Sequence, residues 1–245
     1  MKDEELVHGQ HAVASVLASD PERILEIWLQ RDRDNRLTRD VESRLGERVP
    51  LHRLPRRQLD ALFPDARHQG VVVRARIRRG TDLDGLLAKL ARDPEPLLVV
   101  LDGVQDPHNL GAVLRTADAA GARAVVIPRS RGVGLTASVR KVASGAAESL
   151  PLVQVANLAR TLSRLGEAGV RRVGTDPSAA TSLFDADLRG PLALVLGSEG
   201  QGLRALTARN CDLLVSLPML GRVHSLNVSV SAGICLYEAL RQRRV

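Results

Sequence analysis

The residues best suited to chemistry fall in three segments of the 245-residue chain. The first is Asp102-Gly-Val-Gln-Asp-Pro-His-Asn-Leu-Gly-Ala-Val-Leu-Arg-Thr-Ala117, which follows the apolar run 97–101. Asp106-Pro107 suits a turn, and Asn109 suits the cap of a helix starting near Gly111. Arg115, early in that helix, is a fork of donors able to reach an anion at the positive helix end. Taken singly, a cap accounts for Asn109 and a solvated face for Arg115. Together, between two glycines and an apolar strand, they mark a candidate site. The second segment is Gly197-Ser-Glu-Gly-Gln-Gly202, whose glycines allow close backbone approach and positive φ. It is neither the dinucleotide fingerprint nor a phosphate loop ending in Gly-Lys-Ser/Thr. Glu199 at its centre repels a pyrophosphate; a carboxylate there suits a hydroxyl or a cationic ligand, or is simply solvated. The third is Pro218-Met-Leu-Gly-Arg-Val-His-Ser-Leu-Asn-Val-Ser229, running into a final helix that Ser225 or Asn227 caps.

Other chemistries fit poorly. Ser225 beside His224 suggests nucleophilic hydrolysis, but sequence neighbours rarely face each other productively, and no Gly-x-Ser-x-Gly elbow exists. The histidines at 8, 11, 52, 68, 108 and 224 lack metal-site spacing, and Cys211 and Cys235 are too few for a four-cysteine zinc site or a disulfide framework. No metal is expected.

Three such loops need a scaffold. The charge-free run at 97–101 reads as a strand buried on both faces, with further strands at 124–127, 152–155, 170–174, 192–196 and 213–217. Helices are expected at 111–120 with Gly121 as cap, at 136–147, at 158–168 with Gly169 as cap, and at 227–243. This alternation predicts an α/β domain with a parallel sheet and ligands beyond the strand carboxyl ends. Residues 1–77 have a different texture, with a helix over 7–17, a strand over 24–29, a helix over 37–45 and a closing strand over 69–77. Residues 78–96 suit a linker with a short helix near 83–90. The predicted organisation is therefore 1–77, 78–96 and 97–245.

The charge balance points to a polyanion. Net charge is +7, with 35 Lys and Arg against 28 Asp and Glu, and only Lys2, Lys89 and Lys141 are lysine. Arginine's planar fork matches phosphate, although codon bias accounts equally well for the excess. Arginine-rich stretches at 53–57, 74–79 and 129–141 are candidate phosphate contacts. Aromatic residues make up 2% of the chain, which argues against base stacking on an aromatic row. The N-terminus is charged where a secretory signal is apolar, and no run reaches membrane-spanning length, so a cytoplasmic protein is expected.

In order, the three segments resemble the motifs of the SpoU/TrmH branch of the SPOUT methyltransferases. The resemblance lies in Asn109-x-Gly111-Ala-x-x-Arg115-Thr-Ala117, in Leu196-Gly-Ser-Glu-Gly-x-Gly202, and in Leu217-Pro-Met-x-Gly221-x-x-x-Ser225-Leu-Asn-Val228, followed by Ala232 and Tyr237-Glu238. It extends to Lys141-Val-Ala-Ser-Gly-Ala-Ala-Glu-Ser149 and, near the N-terminus, to His8-Gly-Gln-His-Ala-Val13 and His68-Gln-Gly70, so it covers essentially the whole chain. His224 departs from the pattern, which has a small polar residue there.

The resemblance implies a SPOUT fold with a C-terminal trefoil knot, a small α/β N-terminal RNA-binding domain, S-adenosyl-L-methionine as methyl donor, and a homodimer with the site near the subunit interface. It implies 2′-O-methylation of a guanosine ribose in large-subunit (23S) ribosomal RNA. A transfer-RNA ribose methyltransferase and a non-catalytic RNA-binding or ribosome-assembly protein remain as alternatives. Gly197, Leu217 and Leu226 match its cofactor contacts, and Asn109, Arg115, Glu199, Ser225 and Asn227 its polar constellation. Guanidinium keeps its proton far above neutral pH, so Arg115 is expected to clamp phosphate and stabilise a developing alkoxide rather than act as a base.

Overall fold

The computed structural model describes residues 4–76, 81–130 and 132–244. The chain divides into two compact units, Met1–Arg79 with Ser144–Ser149, and Gly80–Ala143 with Leu150–Val245.

The first unit runs β1 (Glu4–His8), α1 (Gln10–Ser19), β2 (Ile24–Gln30), α2 (Arg36–Leu45), β3 (Leu51–Leu54), α3 (Arg56–Leu62) and β4 (Val71–Arg76). Its sheet has the order β1-β4-β2-β3, with β4 antiparallel to both neighbours and β2 parallel to β3. Val13, Val16, Val41 and Leu45 from the helices pack on Ile27, Leu29 and Val73 of the strands. Asn35 starts α2 through a capping box, accepting from Thr38 N (3.0 Å) while Thr38 Oγ1 accepts from Asn35 N (2.9 Å).

Two expectations for this unit change. The helix expected over 7–17 starts only at Gln10, because Gly9 adopts φ 89° and Val7 and His8 belong to β1. The strand expected over 69–77 begins at Val71, because Gln69 (φ 48°) and Gly70 (φ 82°) are left-handed; Ile77 lies outside the described residues. Strands β1 and β3 and helix α3 were not foreseen. Charge hides β1 from a hydropathy reading, yet its Glu4 is satisfied by Arg74 Nη1 at 2.9 Å.

The second unit continues with α4 (Leu83–Leu90), β5 (Leu97–Asp102), α5 (Pro107–Ala119), β6 (Ala124–Pro128) and α6 (Ala137–Ala143). The short α7 (Ala146–Ser149) falls within the first unit. Then follow β7 (Leu152–Val155), α8 (Leu158–Glu167), β8 (Arg171–Thr175), β9 (Thr181–Ser182), β10 (Leu192–Gly197), α9 (Ala205–Arg209), β11 (Leu213–Ser216) and α10 (Val228–Arg243). Seven strands form a wholly parallel sheet in the order β7-β6-β5-β10-β8-β11-β9. Every residue of β5 is buried, as the charge-free run predicts. One face of the sheet packs Leu98, Val100, Val126 and Val195 against Leu158, Leu162 and Leu165 of α8.

The helix expected over 136–147 is broken into α6 and α7, because Ser144 (φ 52°) and Gly145 (φ 96°) leave helical backbone. Gly121 and Gly169 take φ 77° and 79° just past α5 and α8, as C-terminal caps require.

Candidate active site

The carboxyl end of β10 meets the N-terminus of α10 and the side of α5. β10 ends at Gly197, and the next residues fold back so that Gly202 N donates to Ser198 O at 3.0 Å. A Cβ on Gly197 would overlap the Gly202 carbonyl carbon, so the loop closes only around glycine. Gly200 and Gly202 hold φ 80° and 64°, which side chains rarely adopt.

The loop is anchored from beneath. Asp102, at the carboxyl end of β5, is 2% exposed and accepts from Arg204 N (3.0 Å) and Arg204 Nε (2.6 Å), with the guanidinium also ion-paired to it. A buried carboxylate without such partners would be heavily penalised. Sequence reasoning did not single out Asp102. An acidic residue closing a fully apolar strand was the available signal.

Asn227 ties the three segments together. It caps α10, its Oδ1 accepting from Ser229 N at 2.9 Å. Its Nδ2 donates to Asn109 Oδ1 at 2.9 Å and to Glu199 Oε1 at 2.6 Å. Residues 109, 199 and 227, one from each segment, therefore share one hydrogen-bonded junction. Asn109 is not the cap expected of it. Asp106 caps α5, accepting from His108 N at 2.8 Å with Pro107 as the first helical residue, so α5 begins earlier and Asn109 lies inside it, buried. Arg115 is correspondingly mid-helix, not at the positive end, and is exposed. Six positions along an α-helix turn it roughly 120° from Asn109. The structure thus does not join Arg115 to the junction. Ser225 does not cap α10 and is exposed.

Beside the junction lies a cavity of about 360 Å³ lined by Gly197, Glu199, Leu217, Ser225 and Leu226, with Thr175 and Asp176 on the far wall. Asp176 accepts from Ser178 Oγ (2.7 Å) and Ser178 N (2.8 Å), and these bonds hold its carboxyl below the usual range. The cavity wall therefore carries an ionised carboxylate at neutral pH. Burial pushes the Cys211 thiol up to about 12, which leaves it protonated and unreactive. Among the described residues, no three His, Cys, Asp or Glu side chains gather as a metal-binding group.

The family profile described as SpoU rRNA Methylase matches residues 96–237, and one described as RNA 2′-O ribose methyltransferase substrate binding matches residues 6–79. The chain belongs to the SpoU rRNA methylase family. Among SpoU-family relatives, the 23S rRNA (guanosine-2′-O-)-methyltransferase RlmB of Shewanella oneidensis is 51% identical, with 100% of each chain covered. The RlmB of Pseudomonas putida is 48% identical over 100% of this chain and 99% of its own. A crystal structure of an RNA 2′-O ribose methyltransferase superposes with a TM-score of 0.75 at 31% identity, covering 99% of this chain and 90% of that one. The SpoU methyltransferase AviRb from Streptomyces viridochromogenes, solved with AdoMet, gives a TM-score of 0.79 at 25% identity, covering 98% of this chain and 91% of that one. The α/β architecture and parallel sheet expected of the SpoU family are those observed.

Proposed function

We propose that the chain transfers a methyl group from S-adenosylmethionine to the 2′-hydroxyl of a guanosine ribose in 23S ribosomal RNA. The observation that carries this reading is the Asn109–Asn227–Glu199 junction at the rim of a glycine-walled cavity. The full-length likeness to RlmB relatives supports the substrate.

The cavity suits the cofactor. Its volume falls in the range of small-molecule sites. Leu217 and Leu226 offer apolar surface for an adenine, and Gly197 permits close approach of backbone polar groups. When bound, S-adenosylmethionine supplies a methyl group already activated on a sulfonium. The chain's own residues then have three tasks: to hold the ribose, to exclude water and to stabilise the alkoxide as the 2′-hydroxyl loses its proton. Ser225, exposed in the cavity wall, and Asn227 position the ribose. Glu199 accepts from Asn227 and so fixes the amide's orientation. Arg115 clamps the target phosphate.

Residues 97–245 act as the methyltransferase domain and 1–77 as the RNA substrate-binding domain; the stretch 78–96 connects them in sequence, with α4 packing its Leu86 and Leu90 into the core of the second unit. The unit's C-terminal part is threaded as a trefoil knot, a reading supported by β10 lying between β5 and β8 with β11 beyond β8. The enzyme is a homodimer with its sites near the interface, which brings Arg115 of one copy to the junction of the other. Val230 and Tyr237, exposed two turns apart on α10, support an interface on that helix. The protein works in the cytoplasm. Among the described residues no helix is long and apolar enough to cross a membrane.

The test is tritiated methyl transfer from S-adenosylmethionine to protein-free 23S ribosomal RNA, with transfer RNA in parallel and positions mapped by ribose-methyl-sensitive primer extension. One blocked guanosine in the ribosomal RNA is expected. Label in transfer RNA alone overturns the substrate, and label in neither, including on pre-ribosomal particles, overturns the enzyme reading.

A further inference from the structure

The two N-terminal segments His8–Val13 and His68–Gly70 take no part in the methyltransferase site, yet the first unit brings them together. Gly9 N donates to Val71 O at 3.2 Å, and Gln10 N donates to the side-chain Oε1 of Gln69 at 3.2 Å. They form the wall of a concavity of about 530 Å³ whose other groups include Gln30, Arg33, Arg56 and Arg67.

This concavity is built rather than incidental. His68 is 5% exposed and held at both ring nitrogens, Nε2 donating to Asp60 Oδ1 (2.9 Å) and Nδ1 accepting from Gly70 N (3.0 Å). Gln69 occupies the left-handed region at φ 48°, uncommon outside glycine. Arg33 Nη1 donates to Gln69 O at 2.8 Å. Gly70 holds φ 82°, which strains any side chain, and a Cβ there would also press on Arg33 Cδ at 2.8 Å and Gln30 Oε1 at 3.2 Å. With its amide oxygen turned toward donors, Gln10 accepts from Arg33 Nε and Asn35 Nδ2, each at 3.1 Å. These internal bonds engage the oxygens of Gln10 and Gln69, and the swapped Gln10 amide N–H meets acceptors; Gln69, Arg56 and Arg67 line the cavity. Asp60, the carboxylate here, is engaged by His68 and lies 3.7 Å from Arg56 Nε. The remaining chemistry is that of a donor-rich pocket for an acceptor-rich ligand.

We propose that this concavity is an RNA subsite, taking an unpaired nucleotide of the substrate with its phosphate on Arg56 and Arg67 and its base carbonyl edge on the Gln69 amide. Amide and guanidinium donors are the groups that read base acceptors and phosphate oxygens together. The pocket's polarity disfavours an apolar peptide side chain, and its volume of about 530 Å³ has room for a nucleotide. The inference rests on the reading of the chain as a ribosomal-RNA enzyme and assigns to it a second point of RNA contact, away from the methyl-transfer junction.

The experiment uses the full-length protein and a protein-free 23S ribosomal RNA transcript in filter binding across a salt series, with S-adenosylhomocysteine affinity measured by calorimetry. The variants are Arg56→Ala with Arg67→Ala, and separately Gln69→Gly, which removes the amide while easing the backbone. Arg39→Ala with Arg44→Ala, on α2 and outside the concavity, removes the same charge. The pocket pair is expected to weaken RNA binding about tenfold and to flatten the salt slope by roughly 1.4, two phosphate contacts at about 0.7 each. Gln69→Gly is expected to weaken binding several-fold with an unchanged slope, and cofactor-product affinity is expected to stay at the wild-type value in all three. The inference is overturned if the pocket pair binds within twofold of wild type, or if the α2 pair loses as much. Failure of the enzyme reading is separate: the wild-type protein would then bind RNA through this pocket but transfer no methyl group.

Discussion

Asp102 touches no reacting atom in this reading, yet it fixes the loop that carries Gly197 and Glu199 through three contacts to Arg204. Asp102→Asn keeps the shape and removes the charge. Because Arg204 is partly exposed, the expected stability loss is about 1–2 kcal/mol rather than the larger cost of breaking a fully buried pair. S-adenosylhomocysteine binding should weaken about tenfold, as calorimetry would reveal, with RNA affinity unchanged. Arg115→Lys tests the clamp, since an ammonium keeps the charge but loses the bidentate fork. Methyl transfer should fall by about two orders of magnitude under saturating RNA. Transfer near the wild-type rate with unaltered RNA affinity would sink the clamp. At the far end of α10, Glu238 receives Arg241 Nε (2.9 Å) and Gln242 Nε2 (2.8 Å), and these bonds, Arg241's first, hold its pKa at about 2. A depressed carboxylate contributes stability above its unfolded value, near 4.5, and that contribution is lost as pH falls toward about 2. The difference in urea midpoint between wild type and Glu238→Gln should therefore be constant above pH 5 and shrink through that window.

Helices and strands raise a different question, that of space. Gly111 sits where α5 crosses α6, and a Cβ there would meet Val142 Cβ at 2.6 Å and Val139 O at 2.9 Å. Alanine would gain up to about 1 kcal/mol of helix propensity. Overpacking against another helix costs about 1–3 kcal/mol, and here part of the clash is with backbone, so the clash wins. Gly111→Ala should lower the thermal midpoint, and a rise would show that α6 can withdraw freely. The same elements explain what the sequence disclosed. Strands β5, β6 and β10 are nearly continuous apolar runs, because a parallel sheet covered on both faces needs them, while β7 carries Gln154, β8 Arg171 and Arg172, and β11 Ser216; all six were foreseen within a residue or two. β1 and β3 carry charge and histidine and stayed hidden. Asp106-Pro107 is a cap followed by the first helical residue, which reads in isolation as a turn; that ambiguity displaced the start of α5 and with it the setting of Asn109 and Arg115. The meeting of Asn109 with Asn227 spans 118 positions, and no local periodicity encodes it.

At the scale of the molecule, each unit has apolar packing of its own: among the described residues, one cluster gathers around Val13, Ile27 and Val73 in the first unit and another around Leu98, Val126 and Leu162 in the second. A ligand stabilises the unit that binds it. S-adenosylhomocysteine at a hundredfold its Kd should add about 2.7 kcal/mol to the methyltransferase unit. That raises its calorimetric midpoint by about 5–11 °C, at about 2–4 °C per kcal/mol, while leaving the transition of the first unit in place. A shift of both transitions together would mean that the two cores unfold as one. Strand order within the larger unit has a further consequence. β10 lies between β5 and β8, with Leu192 beside Leu97, although both neighbours precede it in the chain. At about 5–20 residues per second, a growing chain holds β5 ready for some seconds before β10 leaves the ribosome. Until then the flanks of β5 and β8 are open strand edges, which other chains can pair with. The cofactor wall waits longer still, for Asn227 to reach Asn109 and Glu199. A SpoU-family enzyme whose own substrate is ribosomal RNA thus spends most of its synthesis unable to bind its methyl donor, and is most prone to aggregate just before it becomes active.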